Sequence, residues 1–159
     1  MAMGSPLSGI LSNNFLEHLE ANYFKQVINK DIVWLRYVDY VLVIAPRRLD
    51  LDSLRGRLNS VEPSIQFTIE YENNDRLPFL DVLLVKENNN LKFNVFRKAT
   101  NKNVFVHFYS NTDKRAKLGI NIGFYLRALR ICSAEFLEYE FDIIFHNFLE
   151  LKYPPFVYS

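Results

Sequence analysis

Asp39 stands in the middle of an apolar run, Leu35-Arg36-Tyr37-Val38-Asp39-Tyr40-Val41-Leu42-Val43-Ile44. A carboxylate there has two uses. It can hydrogen-bond its own backbone at a hairpin turn, or it can hold a divalent cation at the end of a strand pair. Metal-assisted phosphoryl transfer asks for more, because two ions about 3.5–4 Å apart must activate the attacking hydroxyl and stabilise the leaving group, which one carboxylate cannot arrange. Its neighbour Tyr40 is a phenol, a poor ligand for a hard cation that selects carboxylates. A second constellation is basic. Arg97, Lys98, Lys102, Lys114, Arg115, Lys117, Arg127 and Arg130 are interleaved with Phe105, His107, Phe108 and Tyr109. Cations of this kind neutralise phosphates and the rings stack on bases, although a solvated charged face would read the same way. Arg127 and Arg130 share a helical face at i, i+3, which suits a phosphate backbone and equally suits pairing with Glu135 or Glu138. His18, His107 and His146 are scattered without carboxylates or thiols at ligand spacing, and no Ser-His-Asp or Cys-His arrangement is present.

The elements that must position these groups follow from periodicity. Ile10, Leu11, Phe15, Leu16, Leu19, Phe24 and Val27 recur at three and four, predicting a helix over Ser8–Asn29 with Glu17, His18 and Glu20 toward water. Gly4-Ser5-Pro6 opens it, since Pro is tolerated at a helix start. Ile32–Ala45 reads as a hairpin around Asp39, stopped by Pro46. Leu49–Leu58 reads as a helix capped by Asp50 or Asp52. Strands are expected over Ile65–Glu72, Phe79–Lys86 and Leu91–Arg97, the last two joined by Glu87-Asn88-Asn89-Asn90. Residues 101–117 form a polar, basic loop around one short strand near Val104–Tyr109. Two helices follow, Leu118–Cys132 and Ala134–Leu151, with Ser133 as the cap between them.

Composition bounds the function. The chain has 159 residues, 49% of them hydrophobic and 23% charged, enough to bury a core in one or two small domains. Net charge is +1, so no overall field draws it onto nucleic acid and binding must come from local clusters. Cys132 is the only cysteine. That excludes an intramolecular disulfide and a multi-thiolate zinc site, and points to a reducing compartment, nucleus or cytoplasm. No apolar run reaches the roughly 18 residues needed to span a bilayer, so no membrane partner is expected.

Gly4-Ser5-Pro6-Leu7-Ser8 resembles motif B of reverse transcriptases, and Tyr37-Val38-Asp39-Tyr40 resembles motif C, usually Tyr-x-Asp-Asp. Leu77-Pro78-Phe79-Leu80-Asp81 and Phe96-Arg97-Lys98-Ala99-Thr100 are similar to the region after the palm in Penelope-like retroelements. The resemblance implies an α+β fold: a partial polymerase palm, an antiparallel sheet with packed helices, over residues 1–98. A helical thumb-like or helix-turn-helix-like region would follow over 99–159. It implies template-directed addition of deoxynucleotides to a primer with two Mg²⁺, Asp39 as metal ligand and catalytic carboxylate, and Gly4, Ser5, Pro6 and Tyr37 beside nucleotide and template. RNA or DNA template-primer would lie along the basic residues. Two departures stand out: no motif A precedes motif B, and Tyr40 replaces the second aspartate. A truncated, catalytically inactive reverse-transcriptase domain is therefore expected, prone to self-association through an exposed palm edge. A non-catalytic nucleic-acid-binding module, or a remnant with no selected role, is the alternative.

Overall fold

A helix that begins on a proline and carries few acidic residues has little to hold it but packing, and in the computed structural model that packing decides its shape. Residues 6–28, 30–88, 90–98, 100 and 105–155 are described. α1 (Pro6–Leu19) does not run on as one regular helix. It passes into a π-helical segment, Glu20–Phe24, and then α2, Lys25–Val27. The wider i→i+5 turn puts Leu19 and Phe24, five residues apart, on the same buried side. It also turns Glu20 away from water and toward the following hairpin, where it accepts from Trp34 Nε1 at 2.9 Å and Arg36 Nε at 2.7 Å. The solvent-facing Glu20 of the periodicity argument is thus corrected. Of the expected apolar stripe, Leu19 and Phe24 are buried, whereas Ile10, Leu11 and Phe15 are exposed.

β1 (Val33–Tyr37) and β2 (Tyr40–Ile44) pair antiparallel from Val33 opposite Ile44 to Tyr37 opposite Tyr40, leaving Val38-Asp39 as a two-residue turn. Trp34, Arg36, Val41 and Val43 line the half-buried face, and on the other face Val33, Leu35, Tyr37, Tyr40 and Ile44 are exposed while Leu42 is buried. α3 (Leu51–Asn59) is capped by Asp50, whose carboxylate accepts from the backbone of Asp52 at 3.0 Å and Ser53 at 3.1 Å. Leu54 and Leu58 of α3 join Leu19, Phe24 and Ile32 in the core, closed by Phe24, Trp34 and Phe67, whose rings meet at 5.8–6.1 Å. The strand expected over Ile65–Glu72 does not form: residues 65–70 join no sheet among the described residues. The Asn59 side-chain amide takes the place of a neighbouring strand, accepting from Phe67 N at 2.7 Å and donating to Phe67 O at 3.2 Å.

By contacts the chain divides into two compact units, Met1–Glu70 and Tyr71–Ser159. The second holds an antiparallel sheet in the order β3 (Arg76–Phe79), β4 (Val82–Glu87), β5 (Asn90–Val95), followed by α4 (Lys114–Ile131) and α5 (Ala134–Glu150). β5 touches both helices, so this sheet shares a unit with them although composition changes only near residues 98 and 99. Asp113 caps α4, accepting from Arg115 N at 2.8 Å, which starts the helix four residues ahead of the expected Leu118. Of the Val104–Tyr109 run, expected to hold a short strand, residues 105–109 join no sheet among the described residues and Val104 lies outside them. Ser133 does not cap α5 through its side chain. Its hydroxyl accepts from Phe93 N at 3.0 Å and its own N–H donates to Phe93 O at 2.8 Å, adding one rung to the edge of β5. Ala128, Ile144, Phe148 and Tyr153 form the core here, with Phe108, Phe124 and Phe141 packed against it. The mixed α and β content with antiparallel sheets is that of an α+β chain.

Candidate nucleic-acid interface

Asp39 is exposed at the hairpin tip, beside Val38 at φ 55°. Positive φ at the first turn position alone is what a type II′ turn needs, and it matches the right-handed twist of the strands. Valine rarely adopts it, because its branched Cβ crowds the backbone. Arg36 braces the turn from below. Its guanidinium binds Glu20 Oε1 at 2.7 Å, Asn13 Oδ1 at 2.8 Å and Val38 O at 3.4 Å, tying α1 to the strand pair. Beside the turn, Phe15 and Leu16 of α1, Val38, Asp39 and Phe67 line a cleft of about 360 Å³. Replacing Val38 with Gly is expected to stabilise the first unit by about 1 kcal/mol, since the side chain is 64% exposed and only its backbone strain is removed. An unchanged or lower urea midpoint for V38G would show that the turn holds no such strain.

Tyr37 and Tyr40 flank the turn, both exposed. Gly4 and Ser5 lie outside the described residues, and Pro6 opens α1. These residues do not by themselves fit a pair of Mg²⁺ ions. Asp39 faces its cleft alongside the Arg36 cation, the nearby Glu20 carboxylate is held by Trp34 and Arg36, and no group of three or more His, Cys, Asp or Glu able to hold a metal occurs among the described residues. Further carboxylates would have to come from elsewhere.

The basic residues separate into engaged and free. Arg97 grips Glu140 with two parallel bonds, Nη1 to Oε2 at 2.7 Å and Nη2 to Oε1, and Glu140 is 2% exposed. Lys117 is buried, donating to Phe108 O at 2.6 Å and Ser110 O at 2.7 Å with its ammonium over the Phe108 ring. Both side chains brace the fold, and their strongest donors are spent on it. Lys98, Lys114, Arg115 and Arg130 are exposed and form no ion pair among the described residues. Arg127 reaches Asp81 at 3.4 Å rather than Glu135 or Glu138. Glu135 instead meets Lys92 at 3.0 Å, and its carboxyl is held below the ordinary range by its own backbone N–H at the start of α5 and by Lys92. Lys102 lies outside the described residues. Burial pushes the Cys132 thiol up, in keeping with a structural role beside Asn94.

Charge is sorted by helix. α4 carries Lys114, Arg115, Lys117, Arg127 and Arg130 and no acid, while α5 carries Glu135, Glu138, Glu140, Asp142 and Glu150 and no Lys or Arg. Phosphates are attracted to the first and repelled by the exposed carboxylates of the second.

A family described as an animal helix-turn-helix domain matches residues 104–158, the span of α4, α5 and the segments that pack on them. No curated protein and no solved structure matches the chain. No described helix is long and apolar enough to cross a membrane.

The Arg36 and Glu20 brace escaped the periodicity reading, although a lone cation inside an apolar strand was its signal. Nothing local pointed to the pairing of Arg97 with Glu140, which are 43 residues apart.

Proposed function

We propose that the chain is a palm-derived segment of a Penelope-like reverse transcriptase, whose own contribution is to hold template-primer and not to supply the metal pair. The observation that carries this reading is the hairpin with Tyr37-Val38-Asp39-Tyr40 at its tip, tied through Arg36 to Asn13 of α1 and to Glu20, in the helix that follows the motif B-like stretch. In this reading the β3–β5 sheet derives from the later part of the palm and the α4–α5 pair is the thumb-like element, with nucleic acid along α4. RNA-directed DNA synthesis then requires carboxylates and Mg²⁺ beyond those assembled here. The helix-turn-helix match favours a second reading, a nucleic-acid-binding module without catalysis, and the same experiment bears on both.

Fluorescence anisotropy with a labelled RNA–DNA template-primer is expected to show weak binding that falls with salt. If about four phosphates are contacted, log K falls against log salt with a slope of roughly −3 to −4. The exposed trio Lys114, Arg115 and Arg130, changed together to Ala, should weaken binding at low salt about tenfold or more and flatten the slope by about 2 to 3. Affinity indifferent to both salt and the triple change would defeat the proposal. Primer extension in Mg²⁺ by the chain alone would overturn its non-catalytic part.

A further inference from the structure

Within the second unit, the β3–β4 turn, the segment after β5 and one face of α4 enclose a cleft of about 330 Å³. Its wall carries Lys98 and Arg127 as cations and Phe96, Phe105 and Phe124 as rings. Arg97 also lines it, but Glu140 neutralises that charge. The Arg127 guanidinium is under-satisfied. Its Nε is buried with no hydrogen-bond partner among the described residues, and its contact to Asp81 at 3.4 Å is longer than a charge-assisted hydrogen bond of about 2.7–2.9 Å. Asp81 is largely exposed, so that contact is easily exchanged for a better acceptor. A planar fork with free donors, an exposed ammonium on the same wall and half-buried rings between them is the chemistry that takes a phosphate with a flat base attached.

We infer that this cleft holds one nucleotide unit of a single strand, the phosphodiester on Arg127 and Lys98 and the base against Phe96, since the Phe105 ring is already stacked on Phe148 and packed edge to face on Phe124. The inference deepens the nucleic-acid reading above by assigning a discrete subsite apart from the exposed α4 cations. Asp81 then swings out to solvent as phosphate takes its place, which makes the site selective for anions that offer several oxygens.

The test is NMR of arginine Nε–H resonances in the full chain, with the Arg127 signal assigned by R127Q. A short oligothymidylate should shift that resonance, and inorganic phosphate should do so only at much higher concentration because it brings no base. R127Q should weaken oligothymidylate binding about tenfold, the loss of a charge-assisted bond. K98Q, at an exposed position that does not threaten folding, should weaken it about threefold. An unshifted Arg127 signal, or equal response to phosphate and oligothymidylate, overturns the subsite. If binding persists in R127Q and K98Q but falls in the Lys114, Arg115 and Arg130 variant, the cleft is wrong while the α4 reading stands. If no oligonucleotide binds at all, both fail.

Discussion

Changing Arg97 to Ala is expected to lower the stability of the second unit by about 3–5 kcal/mol, because it strands the Glu140 carboxylate in a site only 2% exposed. The Arg97 side chain is itself one quarter exposed, so the lower half of that range is the firmer expectation. The large effect comes from the orphaned charge and not from the net worth of the pair. A double change, R97M with E140L, should therefore recover most of the loss. Urea unfolding followed by far-UV circular dichroism measures both. A loss under about 1 kcal/mol in R97A, or a double variant as weak as the single one, would mean that water reaches Glu140 and that the pair is an ordinary surface contact.

Phe24→Ala is expected to cost the first unit about 3–5 kcal/mol, since its ring is 1% exposed and closes the triangle with Trp34 and Phe67. Against a net domain stability of about 5–15 kcal/mol, that leaves little margin. Trp34 is the only tryptophan, so its fluorescence reports this unit directly. The emission transition should move to lower urea, while the core around Phe148 keeps its own. Should the emission midpoint stay where it is in F24A, the π-helical turn would not be what seats this core.

Periodicity sufficed for the elements whose packing is local. The hairpin around Asp39, an aspartate cap of α3 at Asp50 or Asp52 and the α4–α5 pair are all legible because a turn, a cap or a 3.6-residue repeat leaves its mark within a few residues. The π-helical turn at Glu20–Phe24 left none, since it is set by what Leu19 and Phe24 must both reach. The Ile65–Glu72 alternation promised a strand, but alternation records which side is buried and not whether a neighbour exists, and here the neighbour is the Asn59 side chain. The site divides in the same way. Arg130, Lys114 and Arg115 stand on the surface as their sequence context suggests, whereas Lys117 and Arg97 were taken into the fold by carbonyls and a carboxylate that only the three-dimensional structure brings near.

The sorting of basic residues onto α4 and acidic ones onto α5 gives the second unit an electric dipole although the chain as a whole carries only +1. A nearly neutral molecule of this kind gathers few phosphates at long range, yet it is rotated as it nears a polyanion, so that encounters begin with α4 leading. The torque fades beyond the Debye length, about 8 Å at physiological ionic strength. Capture is thus governed by orientation at close approach rather than by pull from a distance. Such a unit suits a strand already held nearby by other parts of an assembly better than one searched for in bulk solution.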